Sequence, residues 1–178
     1  MNKTGYKWRT ELNTNHSIFT EVQRFRQWWV WLLVLLVAGV SWYGFIQQIV
    51  LKKPFGNNPA PDPVMIMIWV IFGLFFPVLF YSIKLVTEVR YDSLYVRYFP
   101  LQFHSHKISY GEIKNYEIRT YSALKEYGGY GIRQGTKGKA YNVSGNKGIQ
   151  FEFQDGKKLL IGTQKPEEFY SALSSVVR

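Results

Sequence analysis

Two charge-free stretches decide the architecture: Trp28–Ile46, WWVWLLVLLVAGVSWYGFI, and Val64–Ile83, VMIMIWVIFGLFFPVLFYSI. Each is close to the roughly 20 residues that a helix needs to cross about 30 Å of hydrocarbon at about 1.5 Å per residue. A buried core helix would be shorter and keep a polar face, and neither stretch has one. A cleaved signal peptide fits the first stretch poorly, because the stretch begins late, is too long, and no small-x-small site follows it. Trp28, Trp29 and Trp31 at its start, and Trp42 and Tyr43 toward its end, sit where amphipathic rings favour the headgroup boundary. The expected spans are 28–50 and 64–83.

Working outward, the connector Leu51–Pro63 (LKKPFGNNPAPDP) is short and rich in Pro, Gly and Asn, so the two helices form an antiparallel hairpin. Both termini then share one side. Lys and Arg in residues 1–27, with Arg24 and Arg26 next to the first helix, and Lys84 and Arg90 after the second, outnumber Lys52 and Lys53 in the loop. That bias places both termini in the cytoplasm and the chain, as a multi-pass protein, in the plasma membrane. Pro77, preceded by Gly73, is expected to bend the second helix. Neither helix carries an acid, a base or a His, which argues against a proton relay or ion pathway through one copy.

The formal charge of +10 divides as about +3 before the first stretch, +1 between the two and +6 after them. In a membrane chain this reads as topology plus attraction to anionic headgroups, worth about 1 kcal/mol per juxtamembrane cation, and not as a nucleic-acid surface. With no Cys there is no disulfide, thiolate nucleophile or thiolate metal site. The 178 residues leave room for one small domain beside the hairpin.

That domain is expected over residues 84–178, with 1–27 as a separate N-terminal segment. Alternation of apolar and polar residues predicts seven short strands: Lys84–Tyr91, Leu94–Phe99, Phe103–Tyr110, Ile113–Tyr121, Lys139–Ser144, Gly148–Gln154 and Lys157–Gly162. Asp92-Ser93, Gly145-Asn146 and Asp155-Gly156 supply turns, so neighbours should pair antiparallel. In the tail, Pro166 suits a first helical position, Glu167 and Glu168 suit the positive end, and Phe169, Ala172, Leu173, Val176 and Val177 make one apolar face. One amphipathic helix caps a mainly-β domain.

Seven strands and a capping helix resemble the pleckstrin-homology-like (PH-like) fold. More specifically, Tyr127–Leu173, with its pieces GIR, AYNVSG, LIGTQ and PEEF, resembles bacterial PH-like domains that follow transmembrane hairpins in membrane proteins of uncharacterised family. The resemblance implies a PH-like seven-stranded antiparallel sheet or barrel in a membrane setting. It carries no reaction.

The glycine-dense segment Gly128–Gly148 holds Arg133, Lys137, Lys139 and Lys147, and reads as a long loop between strands. Loop amides beside four cations could take a phosphate or an anionic lipid headgroup. Neither a P-loop nor a dinucleotide fingerprint is present: Gly138-Lys139 and Gly156-Lys157 lack the hydroxyl residue after Lys, and Gly129-Tyr130-Gly131 finds Gln134 where a third Gly belongs. Arg133 and the aromatics Tyr127, Tyr130 and Tyr141 could present a partner-binding surface, or the rings could pack the loop onto the sheet. His104 and His106, two apart, would share a strand face, but no third ligand is near in sequence, so no metal or cofactor is expected. Glu112, Glu117 and Glu126 lack a partnered base.

These readings converge on a non-enzymatic, membrane-anchored interaction module. Its partner is a protein, a second copy or anionic headgroups, met through Arg133, Lys137, Lys139, Lys147 and Tyr130. The rival reading is an accessory subunit of a transporter or envelope enzyme, assembled through the hairpin at Gly39, Gly44 and Gly73.

Overall fold

The computed structural model describes residues 17–25 and 27–177 and divides into two compact units, Phe25–Ile83 and the remainder. The first unit is a helical hairpin. Helix α1 spans Trp28–Val50 and α2 spans Asp62–Ser82, both long and apolar enough to cross a membrane. Their outward faces, with Leu32, Leu35, Leu36, Val70, Phe75 and Val78, are exposed, unlike the flanks of a core helix in a soluble protein.

Neither helix is α-helical throughout. Ile46–Val50 in α1 and Trp69–Phe75 in α2 are wound wider, with the Phe76 N–H reaching the Ile71 carbonyl five residues back. The cause in α2 is Pro77, which has no N–H for the Gly73 carbonyl, its partner in an ordinary helix. That carbonyl accepts the indole N–H of Trp42, across the hairpin, at 3.2 Å. The helix thus widens, and α1 supplies the donor that Pro77 withholds. Trp69 seals the joint: its ring stacks on Phe45 at 4.1 Å and meets Trp42 edge-on at 5.2 Å. At the connector, Gln48 donates to the Ala60 carbonyl at 2.6 Å and to Asp62 at 2.9 Å.

The second unit is mainly β, with nine strands among the described residues where seven were expected. The first sheet runs in the order β1 (Ser17–Arg24), β2 (Lys84–Arg90), β3 (Leu94–Phe99), β4 (His106–Ile108). The second contains β5 (Ile113–Thr120), β6 (Gly131–Gly135), β7 (Gly138–Asn142), β8 (Lys147–Phe153) and β9 (Lys158–Gly162), in the order β5-β8-β9-β7-β6. Neither sheet is closed into a barrel. A short helix α3 (Ala123–Tyr127) follows β5, and α4 (Pro166–Ser174) ends the unit.

Three expectations are corrected. The N-terminal segment is not separate: Ser17–Arg24 pairs antiparallel with β2, from Phe19 opposite Val89 to Arg24 opposite Lys84, so the hairpin is inserted into the β unit. Residues 1–16 and 26 lie outside the described residues. Gly145-Asn146 does not close a hairpin, because β9 lies between β7 and β8 and pairs parallel with β7. The segment read as a long loop is itself the β6–β7 hairpin, turned at Thr136-Lys137.

The main core lies where α4 meets both sheets. Phe169 stacks on Phe19 of β1 at 5.1 Å and lies 6.3 Å from Phe151 of β8. Beside it is a buried polar seam: Glu21 accepts the Thr163 hydroxyl and the Gln164 N–H (2.8 Å), and Gln23 donates to the Gly162 carbonyl at 2.6 Å. These bonds tie β1 to the segment between β9 and α4.

A basic cleft as candidate functional site

Strands β5, β6, β7, β8 and β9 together line an open cleft of about 760 Å³. Its walls carry Arg119, Lys137, Lys139, Lys157 and Lys158, with Glu117 as the one carboxylate and Gln134, Thr136 and Gln150 as neutral polar groups. One glycine lets the walls approach and another lets the β6–β7 hairpin pack on α3. A Cβ on Gly138, whose φ is +102°, would strike the Lys158 carbonyl, and one on Gly135 would strike the Glu126 carbonyl. The glycine density that reads as loop flexibility is here close backbone packing.

The cations are not equally free. Arg119 donates to Gln150 at 2.9 Å and pairs with Glu126, whose other oxygen accepts the Ser122 N–H at 2.8 Å. That backbone hydrogen bond first, then the Arg119 charge, holds the Glu126 carboxyl below its ordinary range, while partial burial works against them. Lys157 pairs with Asp155 at 2.6 Å, and Lys158 lies 4.0 Å from Glu152. The Lys139 ammonium sits over the Tyr141 ring, 4.9 Å from its centroid. Lys137, at the hairpin tip, forms no salt bridge among the described residues and is exposed. An anion entering the cleft would meet the four lysines, with the less exposed Arg119 held on the floor by Gln150 and Glu126.

The structure therefore brings together two of the cations singled out from the sequence, Lys137 and Lys139, and separates the others. Arg133 donates from Nε to the Tyr130 carbonyl at 3.1 Å and lies near Tyr98, whose hydroxyl pKa burial pushes up to about 12 against the opposing effect of that guanidinium. Lys147 opens β8 opposite Thr120 and is exposed away from the cleft lining. Tyr130 packs on the cluster Tyr121, Ala123, Tyr127, Ala140 and Leu160, and Tyr141 is fully buried. Tyr127 and Tyr141 are thus taken up by packing, while Tyr130 packs with part of its ring still exposed. Sequence reasoning missed Arg119, Lys157 and Lys158 as cleft residues; they are remote in sequence from the glycine-dense segment and meet it only through the order of the second sheet.

His106 opens β4 while His104 precedes it, so the two do not share a strand face. Among the described residues no three His, Asp or Glu side chains gather to hold a metal ion. Of the glycines weighed for helix association, Gly44 faces Phe55 and Met65, and Gly73 faces Trp69 and Trp42; both are used inside the hairpin. Gly39 alone of the three has open space before it.

Residues 10–178 match the model of a family of unknown function, DUF6141, and the chain belongs to that family. No curated protein and no solved structure matches it.

Proposed function

We propose that this DUF6141 protein is a membrane-anchored, non-enzymatic interaction module, held by its hairpin with the β unit on the cytoplasmic face of the plasma membrane, and that its basic cleft takes anionic phosphate-bearing ligands, lipid headgroups foremost. The observation that carries the reading is the cleft itself: five cations and one carboxylate converge from three strands and two turns, and Lys137 forms no salt bridge among the described residues. Exposed apolar flanks on both long helices support the anchor, and an anchor raises the effective concentration of headgroups at the cleft. A PH-like kinship is supported by an antiparallel meander, a second sheet and a C-terminal helix. The two additional strands and the parallel β7–β9 pair depart from the simple seven-stranded pattern.

The test uses the full chain in nanodiscs of neutral phosphatidylcholine. Vesicles containing phosphatidylglycerol should bind it and phosphatidylcholine vesicles should not, with binding weakened by salt. Competition by inorganic pyrophosphate separates a site for any phosphate from one that needs a lipid headgroup. Equal binding of neutral and anionic vesicles, or binding of neither, with pyrophosphate also unbound, overturns the reading.

A further inference from the structure

Arg24, Lys84 and Phe99 stand side by side across β1, β2 and β3. Arg24 ends β1 four residues before α1 begins, and Lys84 opens β2 two residues after α2 ends. At about 3.6 Å per residue of fully extended chain, this end of the first sheet is tethered within about 14 Å and about 7 Å of the two helix ends. The turn that follows Phe99 belongs to the same end.

That turn displays apolar side chains from a braced backbone. Gln102 is drawn inward: its N–H donates to the Tyr98 carbonyl at 2.8 Å, its Oε1 accepts the Tyr98 N–H at 3.3 Å, and its Nε2 donates to the Tyr141 hydroxyl at 3.3 Å. Its neighbours Leu101 and Phe103 are thereby turned out, 69% and 74% exposed. Phe103 meets Phe99 edge-on at 6.2 Å, and the Lys84 ammonium lies 5.4 Å from the Phe99 ring centroid. Two large apolar groups beside a cation, held out by a fixed turn, are costly in water and suited to the boundary between headgroups and acyl chains.

We propose that the Leu101–Phe103 turn inserts into the lipid interface, a third membrane contact that fixes the β unit against the bilayer. The proposal rests on the reading of the helices as membrane spans. Because the chain has no Cys, single nitroxide labels can be placed without background: at Phe103→Cys and Leu101→Cys in the turn, at Tyr91→Cys, and at Leu35→Cys in α1. Tyr91 is 56% exposed and follows β2 at its far end, about 20 Å away at roughly 3.3 Å per residue. The full chain is reconstituted in liposomes, and label accessibility to oxygen and to a water-soluble nickel chelate is measured.

The expected result is that oxygen accessibility dominates at 35 and at both turn positions, and chelate accessibility at 91. Oxygen dominance at 35 with chelate dominance at both 101 and 103 overturns the insertion while leaving the anchor intact. Chelate dominance at 35 overturns the anchor and the insertion with it. Burial of the turn labels from both reagents, as under a bound protein, also overturns the proposal.

Discussion

Glu126 joins two structural tasks in one side chain: it accepts the N–H of Ser122, the residue that caps α3, and it pairs with Arg119 on the floor of the cleft. Its carboxyl is held below the ordinary value of 4.5, chiefly by that N–H. A group whose pKa is lower in the folded state adds stability above its unfolded pKa and loses it as pH falls through its folded pKa. The melting temperature of the full chain in mild detergent should therefore exceed that of Glu126→Gln at neutral pH. The gap should close as pH falls from about 5 toward about 3; parallel pH curves would show that the carboxylate adds nothing. None of this was legible in the sequence, where Glu126 looks like a scattered acid, because its partner Arg119 lies on another element. Tyr130 and Tyr141 were equally ambiguous there, since an aromatic in a glycine-rich segment reads the same whether it faces a partner or the core.

At the scale of elements, Pro77 marks a weak point that the hairpin repairs across its own interface. Trp42→Phe keeps the ring and removes the donor to the Gly73 carbonyl. A hydrogen bond between membrane helices averages about 0.6 kcal/mol and reaches about 1.7 kcal/mol, so the substitution should destabilise the hairpin by about 1 kcal/mol in a denaturing-detergent titration followed by circular dichroism. An unchanged midpoint would mean that the widened turn satisfies itself. The helices, the connector, α4 and six of the seven expected strands were legible in close outline, because apolar length, turn residues and period are local signals. The expected strand Phe103–Tyr110 shrinks to His106–Ile108, as Gln102 holds the preceding turn out of the sheet. Strand β1 escaped notice because its inward positions are Phe19, Glu21 and Gln23, while Ile18 and Val22 point outward. A strand that buries polar side chains and exposes apolar ones inverts the alternation by which strands are read.

At the scale of the molecule, one β unit is interrupted by an apolar helical hairpin and resumes in the strand that pairs with β1. A fragment of residues 84–178 should consequently fail to fold, because it loses β1, the Phe19 stack on Phe169 and the Glu21 and Gln23 bonds. Since Arg24 and Lys84 are already paired in an antiparallel ladder, joining them through Asn-Gly in place of residues 25–83 creates a hairpin with a favoured turn. That chain should be soluble and melt cooperatively. Cooperative melting of the fragment alone would show β1 to be dispensable. The cleft was half legible, since Lys137 and Lys139 mark its glycine-rich wall, whereas Arg119, Lys157 and Lys158 arrive through the crossed order β5-β8-β9-β7-β6, which no local pattern announces.

The most direct test of anion recognition by this cleft compares two pairs of substitutions in the full chain in neutral nanodiscs, titrated with phosphatidylglycerol vesicles. Lys137→Gln with Lys158→Gln removes two of the cleft's four lysines, and at about 1 kcal/mol per cation should weaken binding roughly thirty-fold. Arg133→Gln with Lys147→Gln removes the same charge outside the cleft and should leave affinity within about two-fold, a few tenths of a kcal/mol. Equal losses from the two pairs, or loss only from the second, would contradict the account.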